Sequence, residues 1–206
     1  LPLSSLLTSN LNLSKILSSK STIEALYHKL KAADDLNIPN LTNLSNGKLL
    51  VVLIYSILNQ DYDNLKSIVG NADLKDKLSA LINDYDPNNL TLLIYAIFIN
   101  SLFELYYFFT TNSNMVSLSI NIDDQLSLSR KIFKLILNLK NYLSLDINKP
   151  DNITNVNYFP LMWAIYFKNL FILNELVSLK DDLNLNLRPD FKNKNNVSYI
   201  DLINTD

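Results

Sequence analysis

Hydrophobic and polar positions along this chain recur in one short pattern. Leu53-Ile54-Tyr55-Ser56-Ile57, Leu93-Ile94-Tyr95-Ala96-Ile97 and Leu161-Met162-Trp163-Ala164-Ile165 each read aliphatic, aliphatic, aromatic, small, isoleucine. Their starts lie 40 and then 68 residues apart. Because 68 is twice 34, a degenerate copy is expected between the second and the third. Ser198-Tyr199-Ile200-Asp201-Leu202-Ile203 reads as a looser fourth copy. Self-similarity at a period of roughly 20 to 50 residues marks units that bury their apolar faces only by stacking on one another.

The surroundings of each copy predict its local structure. Before the second stands the turn cluster Asp86-Pro87-Asn88-Asn89, then Thr91 as a helix N-cap, then an apolar run through Ile99. Asn100-Ser101 reads as a break and Leu102–Phe109 as a second apolar helix. The third copy has a turn over Asn155–Tyr158 and Pro160 at the helix start, where its missing N–H costs nothing. Leu161–Phe167 follows as a first helix, Lys168-Asn169 as a break and Leu170–Leu179 as a second helix. The first copy, Asn46–Ile68, keeps little beyond the helical run. Two short antiparallel helices with a projecting turn therefore make one unit. Asp73–Asn83 reads as an extra helix, and Ser129–Asn141 as a basic amphipathic one with Arg130, Lys131, Lys134 and Lys140 among Phe133, Leu135, Ile136 and Leu139. In the first 45 residues, Ser21 and Glu24 form a capping-box pattern that opens a helix to about Ala33, with Ile23, Leu26, Tyr27 and Leu30 on one face. Ile38-Pro39 ends the segment after it.

This grammar resembles the ankyrin repeat, whose unit of about 33 residues opens on Asp and a Gly turn and continues Thr-Pro-Leu-His-x-Ala. Asp86, Thr91, Leu93 and Ala96 match, with Asn89 in the Gly place, Leu92 for Pro and Ile94 for His. In the third copy Pro160, Leu161 and Ala164 match, with Asn157 in the Gly place and Phe159 and Met162 for Thr and His. In the last, Asn196 takes the Gly place, and Ser198 and Ile200 fit loosely. After Gly, Asn best tolerates a positive φ. The resemblance implies an all-α, ankyrin-like helical-repeat solenoid of about four degenerate repeats with insertions. An N-terminal helical capping region covers 1–45; the stack covers 46–206, with repeats near 46–70, 86–110, 124–150, 155–185 and a terminal half-repeat at 193–206. No copy keeps the family histidine, so plain packing at Ile94 and Met162 would replace its hydrogen bonds between repeats. The irregular spacing is similar to the ankyrin region of fungal cell-cycle transcription factors.

Composition removes other classes. The 206 residues include 42 Leu and 30 Asn but only 2 Gly, 3 Glu, 1 His and no Cys. Such a bias fits an AT-rich eukaryote such as a yeast. Without Cys there is no disulfide framework, cysteine zinc site or thiol nucleophile. Two Gly cannot build a phosphate cradle, and one His excludes multi-His metal sites. A net charge of −2 gives no field for a polyanion, so direct nucleic-acid binding is not expected. The most apolar runs, Leu49–Leu58 and Leu90–Ile99, are about half the length a bilayer needs, so they read as buried helices and no membrane partner is expected. The chain opens on Leu with no secretory signal, and reads as a piece of a longer intracellular protein, nuclear or cytoplasmic.

The remaining features weigh toward bland roles. His28 has no second ligand-type partner and reads as a solvent or structural histidine; Asp34-Asp35, Asp123-Asp124 and Asp181-Asp182 read as caps, and the Asn-x-Ser/Thr sequons as products of composition. The resemblance places the binding surface at turn tips and at the outward ends of the first helices. Here those positions include Leu58, Asn88, Leu90, Phe98, Ile99, Tyr158, Tyr166 and Phe167. Large apolar residues at positions that usually face water need a cover, which is either a partner or the insertions 70–85 and 111–128 folded over them. The expected function is a non-catalytic protein–protein interaction scaffold within a larger transcription, chromatin or cell-cycle regulator, with no cofactor and no metal. The alternatives are a structural spacer or dimerisation module, and a small helical enzyme collecting Asp123, Asp124, Arg130 and His28 in one cleft.

Overall fold

The computed structural model describes residues 11–33, 36–112, 121–153, 157–179 and 181–183. These are mostly helical and contain no β-strand, so the fold is all-α. The helices are α1 (Leu11–Ala33), α2 (Ile38–Leu41), α3 (Asn46–Leu58), α4 (Tyr62–Val69), α5 (Lys75–Leu81), α6 (Leu92–Asn112), α7 (Ile122–Leu137), α8 (Leu139–Leu143), α9 (Pro160–Tyr166) and α10 (Leu170–Val177). A 3₁₀ turn, Ala72–Leu74, leads into α5.

Short polar side chains start these helices. Ser45, Asp61, Asn121 and Asn169 each accept an amide hydrogen in the first turn of α3, α4, α7 and α10, and Asn71 does so for the 3₁₀ turn. The Thr91 hydroxyl accepts from the Ile94 amide, as a cap for α6. Three of the asparagines, Asn71, Asn121 and Asn169, are therefore helix punctuation. Pro160 occupies the first turn of α9, as its position predicts.

The helices pack in two rows. α1 lies on α3, α3 on α6 and α6 on α9; α4 lies on α7, and α7 meets α10 through Phe133–Phe171 and Lys134–Glu175. Between the rows, α3 pairs with α4, α6 with α7 and α9 with α10. Two of the pairs share one turn. Gln60 (φ 54°) and Lys168 (φ 52°) are left-handed, and each is followed by the N-cap of the second helix, Asp61 or Asn169. Those caps donate their amides to Ser56 and Ala164, the small residues of the two pentads. Neither glycine has a positive φ, so the left-handed turns fall to Gln60, Asn89, Ser144 and Lys168.

The middle unit departs from the sequence expectation. Asn100-Ser101 does not break the helix, and Leu92–Asn112 is one continuous α6. The reason is tertiary: Asn100 and Ser101 are buried and find their partners on neighbouring helices. Asn100 donates to Ser129 of α7 and accepts from Asn169, which also donates to Ser101. With their hydrogen bonds met by packing, these residues leave the backbone helical. The partner of α6 is accordingly α7, so the segment 124–150, expected as a repeat of its own, supplies the second helix of the middle pair.

α1 also differs. It begins at Leu11, so Ser21 and Glu24 lie inside the helix, where Glu24 pairs with Lys20 at 3.7 Å. Its predicted face does face inward: Ile23 and Leu30 are buried, Leu26 and Tyr27 are half-buried, and the Tyr27 ring stacks on Tyr55 at 3.6 Å. The half-repeat 193–206, Asp34-Asp35 and residues 113–120 of the 111–128 insertion lie outside the described residues.

Continuity gives α6 a 20-residue window, Leu92–Thr111, long and apolar enough to cross a membrane by length and composition. More than half of that window is buried by the other helices, as in the core helix of a packed helical domain.

Candidate functional site

The turn before α6 is built around one carboxylate. Asp86 Oδ1 accepts the amides of Asn88 and Leu90 at 2.9 and 3.0 Å, and Oδ2 accepts from the Asn88 carboxamide and the Tyr95 hydroxyl. Asn89, in the left-handed region at φ 62°, closes the turn. Burial, reinforced by the neighbouring Asp86 charge, pushes the Tyr95 phenol far above the ordinary tyrosine range. The third copy repeats the device with a different spacing: Asp151 accepts from Trp163 Nε1 at 2.7 Å and from the Ile153 amide at 3.2 Å. Thus the aromatic residues of two pentads each end on an aspartate of the preceding turn. The two turns also touch, through the Asn152 amide and the Asn89 carbonyl at 2.9 Å.

The expected surface residues divide into two groups. Leu58, Leu90, Phe98 and Ile99 are core residues, none more than 7% exposed, so at these four positions the cover comes from within the chain. For Phe98 and Ile99 the burial follows from the central place of α6 between α3, α7 and α9. Asn88 is held by Asp86, Tyr95 and the Ser19 carbonyl, a role in the turn itself. Tyr158, Tyr166 and Phe167 remain half-buried. With Phe98 they surround Trp163, at ring separations of 4.8 Å (Phe98), 5.2 Å (Tyr158), 5.6 Å (Tyr166) and 5.6 Å (Phe167). Four of the eight residues are therefore one aromatic cluster on the α6–α9 contact.

Phe167 carries that cluster to the wall of a groove. The C-terminal half of α6, the turn between α9 and α10, and Arg130 of α7 enclose about 570 Å³. Leu105, Tyr107 and Phe108 line it from α6; Phe167, Leu170 and Phe171 line it from the other side. Phe108 is 58% exposed and Leu170 71%. Among these apolar walls sits an ion pair: Arg130 Nε and Nη2 donate to the two Glu104 oxygens at 2.6 and 2.9 Å. The guanidinium also lies 4.9 Å from the Phe171 ring. Lys168 stands exposed at the rim.

Phe108 and Leu170 are absent from the sequence-level set. The available signal was the run Leu102–Phe109, in which seven of eight residues are apolar. A helix so apolar all round has more hydrophobic surface than one contact face can bury.

A second cavity of about 500 Å³ lies between α1, α3 and the turn at Tyr85–Pro87, walled by Leu26, Leu30, Leu50 and Val51. The enzyme alternative requires Asp123, Asp124, Arg130 and His28 in one cleft, but the contacts are separate. His28 lies edge-on to Tyr27 and Tyr55, Asp124 bonds Asn121, and Arg130 bonds Glu104. Among the described residues there is no group of three or more His, Cys, Asp or Glu that could hold a metal ion.

Compared with protein-family models, curated proteins and solved structures, the chain matches none.

Proposed function

We propose that the chain is an ankyrin-like stack acting as a non-catalytic protein-binding module, with the groove between α6 and α10 as its recognition site. Supporting the stack are the two rows of helices, the shared left-handed turns at Gln60 and Lys168, and the aspartate-to-aromatic bond repeated at Tyr95 and Trp163. The observation that carries the binding reading is the exposure of Phe108 and Leu170 in one groove. An exposed apolar side chain standing alone needs no explanation, whereas several converging on a concave site mark an interaction surface. Aromatic walls with an arginine among them match residue types enriched at interfaces.

The test is selection of peptides from a display library on the immobilised full chain, run in parallel on Phe108→Ser/Leu170→Ser. Both substitutions fall on exposed positions and should leave the fold intact within about 1 kcal/mol in total. Peptides enriched on the wild type and not on the double variant support the reading. Equal enrichment on both removes it. A mass that rises with concentration in the wild type but not in the variant replaces the foreign partner with a second copy, the dimerisation alternative.

A further inference from the structure

We infer that the occupant of the α6–α10 groove is an acidic amphipathic segment: apolar anchors that enter between Phe108 and Leu170, flanked by carboxylates that meet Lys168. This rests on the reading of the groove as a protein-binding site and adds the chemistry of what it binds.

The groove holds three fixed charges, Glu104, Arg130 and Lys168. Two of them cancel. Both Glu104 oxygens are taken by the Arg130 fork, and Oε1 also receives the Asn100 carboxamide at 3.4 Å, so the carboxylate has little left to offer a ligand. Lys168 has no ion-pair partner among the described residues. Its backbone is held at φ 52°, with its own amide on the Ile165 carbonyl and the next amide on the Ala164 carbonyl, so the root of the side chain is fixed at the rim. The local balance is thus one uncompensated positive charge beside apolar walls. Once a partner displaces water from those walls, charge–charge attraction there exceeds its value in bulk solvent. An anchor-bearing segment with Asp or Glu next to its anchors satisfies both features, and one with Lys or Arg there meets repulsion. Charge at a rim of this kind selects among partners and speeds encounter more than it adds affinity.

The experiment uses a random peptide display library on the full chain, with Phe108→Ser/Leu170→Ser as counter-selection, and measures affinities of the enriched peptides by fluorescence anisotropy. The expected sequences combine aromatic or aliphatic anchors with net negative charge. Lys168→Glu should weaken them roughly tenfold, Lys29→Glu on α1 should leave them unchanged, and raising ionic strength toward about 0.5 M should weaken wild-type binding toward the Lys168→Glu value. Enriched peptides that are neutral or basic, or that ignore Lys168→Glu, overturn the acidic occupant while the groove remains a binding site. Failure of any peptide to enrich over the counter-selection overturns both. Should the double variant not fold by circular dichroism, Leu170→Ser alone serves as the counter-selection, because that side chain is the more exposed of the two.

Discussion

At the residue scale, the aspartate that closes a turn against the aromatic of the next helix is the most specific polar feature. The buried Asp86 side chain accepts hydrogen bonds from two amides, a carboxamide and a phenol. Tyr95→Phe removes one of these donors and should cost about 1.5–3 kcal/mol by thermal or urea unfolding, the range for hydrogen bonds to charged groups. The pH dependence has a defined sign. The folded phenol is raised above its unfolded value of 10.0, so its contribution is complete below pH 10 and is lost as pH rises above it. The stability gap between wild type and Tyr95→Phe should therefore narrow above pH 10, by up to about 1.4 kcal/mol per unit. A gap that holds constant to pH 11 would mean that Tyr95 titrates alike in both states. A second residue-scale prediction concerns the scarce glycines. Lys168 holds a left-handed conformation that costs a non-glycine residue roughly 1 kcal/mol, so Lys168→Gly should raise stability by a few tenths to 1 kcal/mol. The asparagine expected in such a place is found at Asn89, but Gln60 and Lys168 show that side-chain type does not mark the other turns. Backbone hydrogen bonds on both sides fix them instead.

At the scale of the elements, the legible parts of the sequence were those with local signals. Pro160, Thr91 and the Lys168-Asn169 break each act through the backbone within a few residues, and each appears where expected. The course of α6 was not legible, because Asn100-Ser101 looks like a break until its partners are known. Those partners are 29, 68 and 69 residues away in sequence. The same error concealed half of the groove, since Phe108 belongs to the part of α6 beyond the supposed break. The Asn100–Ser129–Asn169–Ser101 network is thus the joint between three helices, and its members should be strongly coupled. A double-mutant cycle of Asn100→Ala and Asn169→Ala should give a coupling energy of about 0.5–3 kcal/mol. Independent losses would place the stability of the joint in plain packing. Phe98 behaves differently from the groove residues. Wedged against Trp163 and Phe167, it should cost about 3–5 kcal/mol as Phe98→Ala, so it reports on the core and not on binding.

For the whole molecule, the leucine excess provides two rows of apolar helices, and asparagine caps and joins them. A net charge of −2 offers little long-range steering. Recognition would then fall to the place where apolar surface exceeds what neighbouring helices bury, at the C-terminal half of α6 and the start of α10. The binding isotherm of one selected peptide on wild type and on Phe108→Ser/Leu170→Ser, with matched melting curves, tests this most directly. The account predicts at least about a thirtyfold loss of affinity, as for a buried interface anchor, with no change in melting beyond a few degrees. Unchanged affinity in a folded double variant would contradict it.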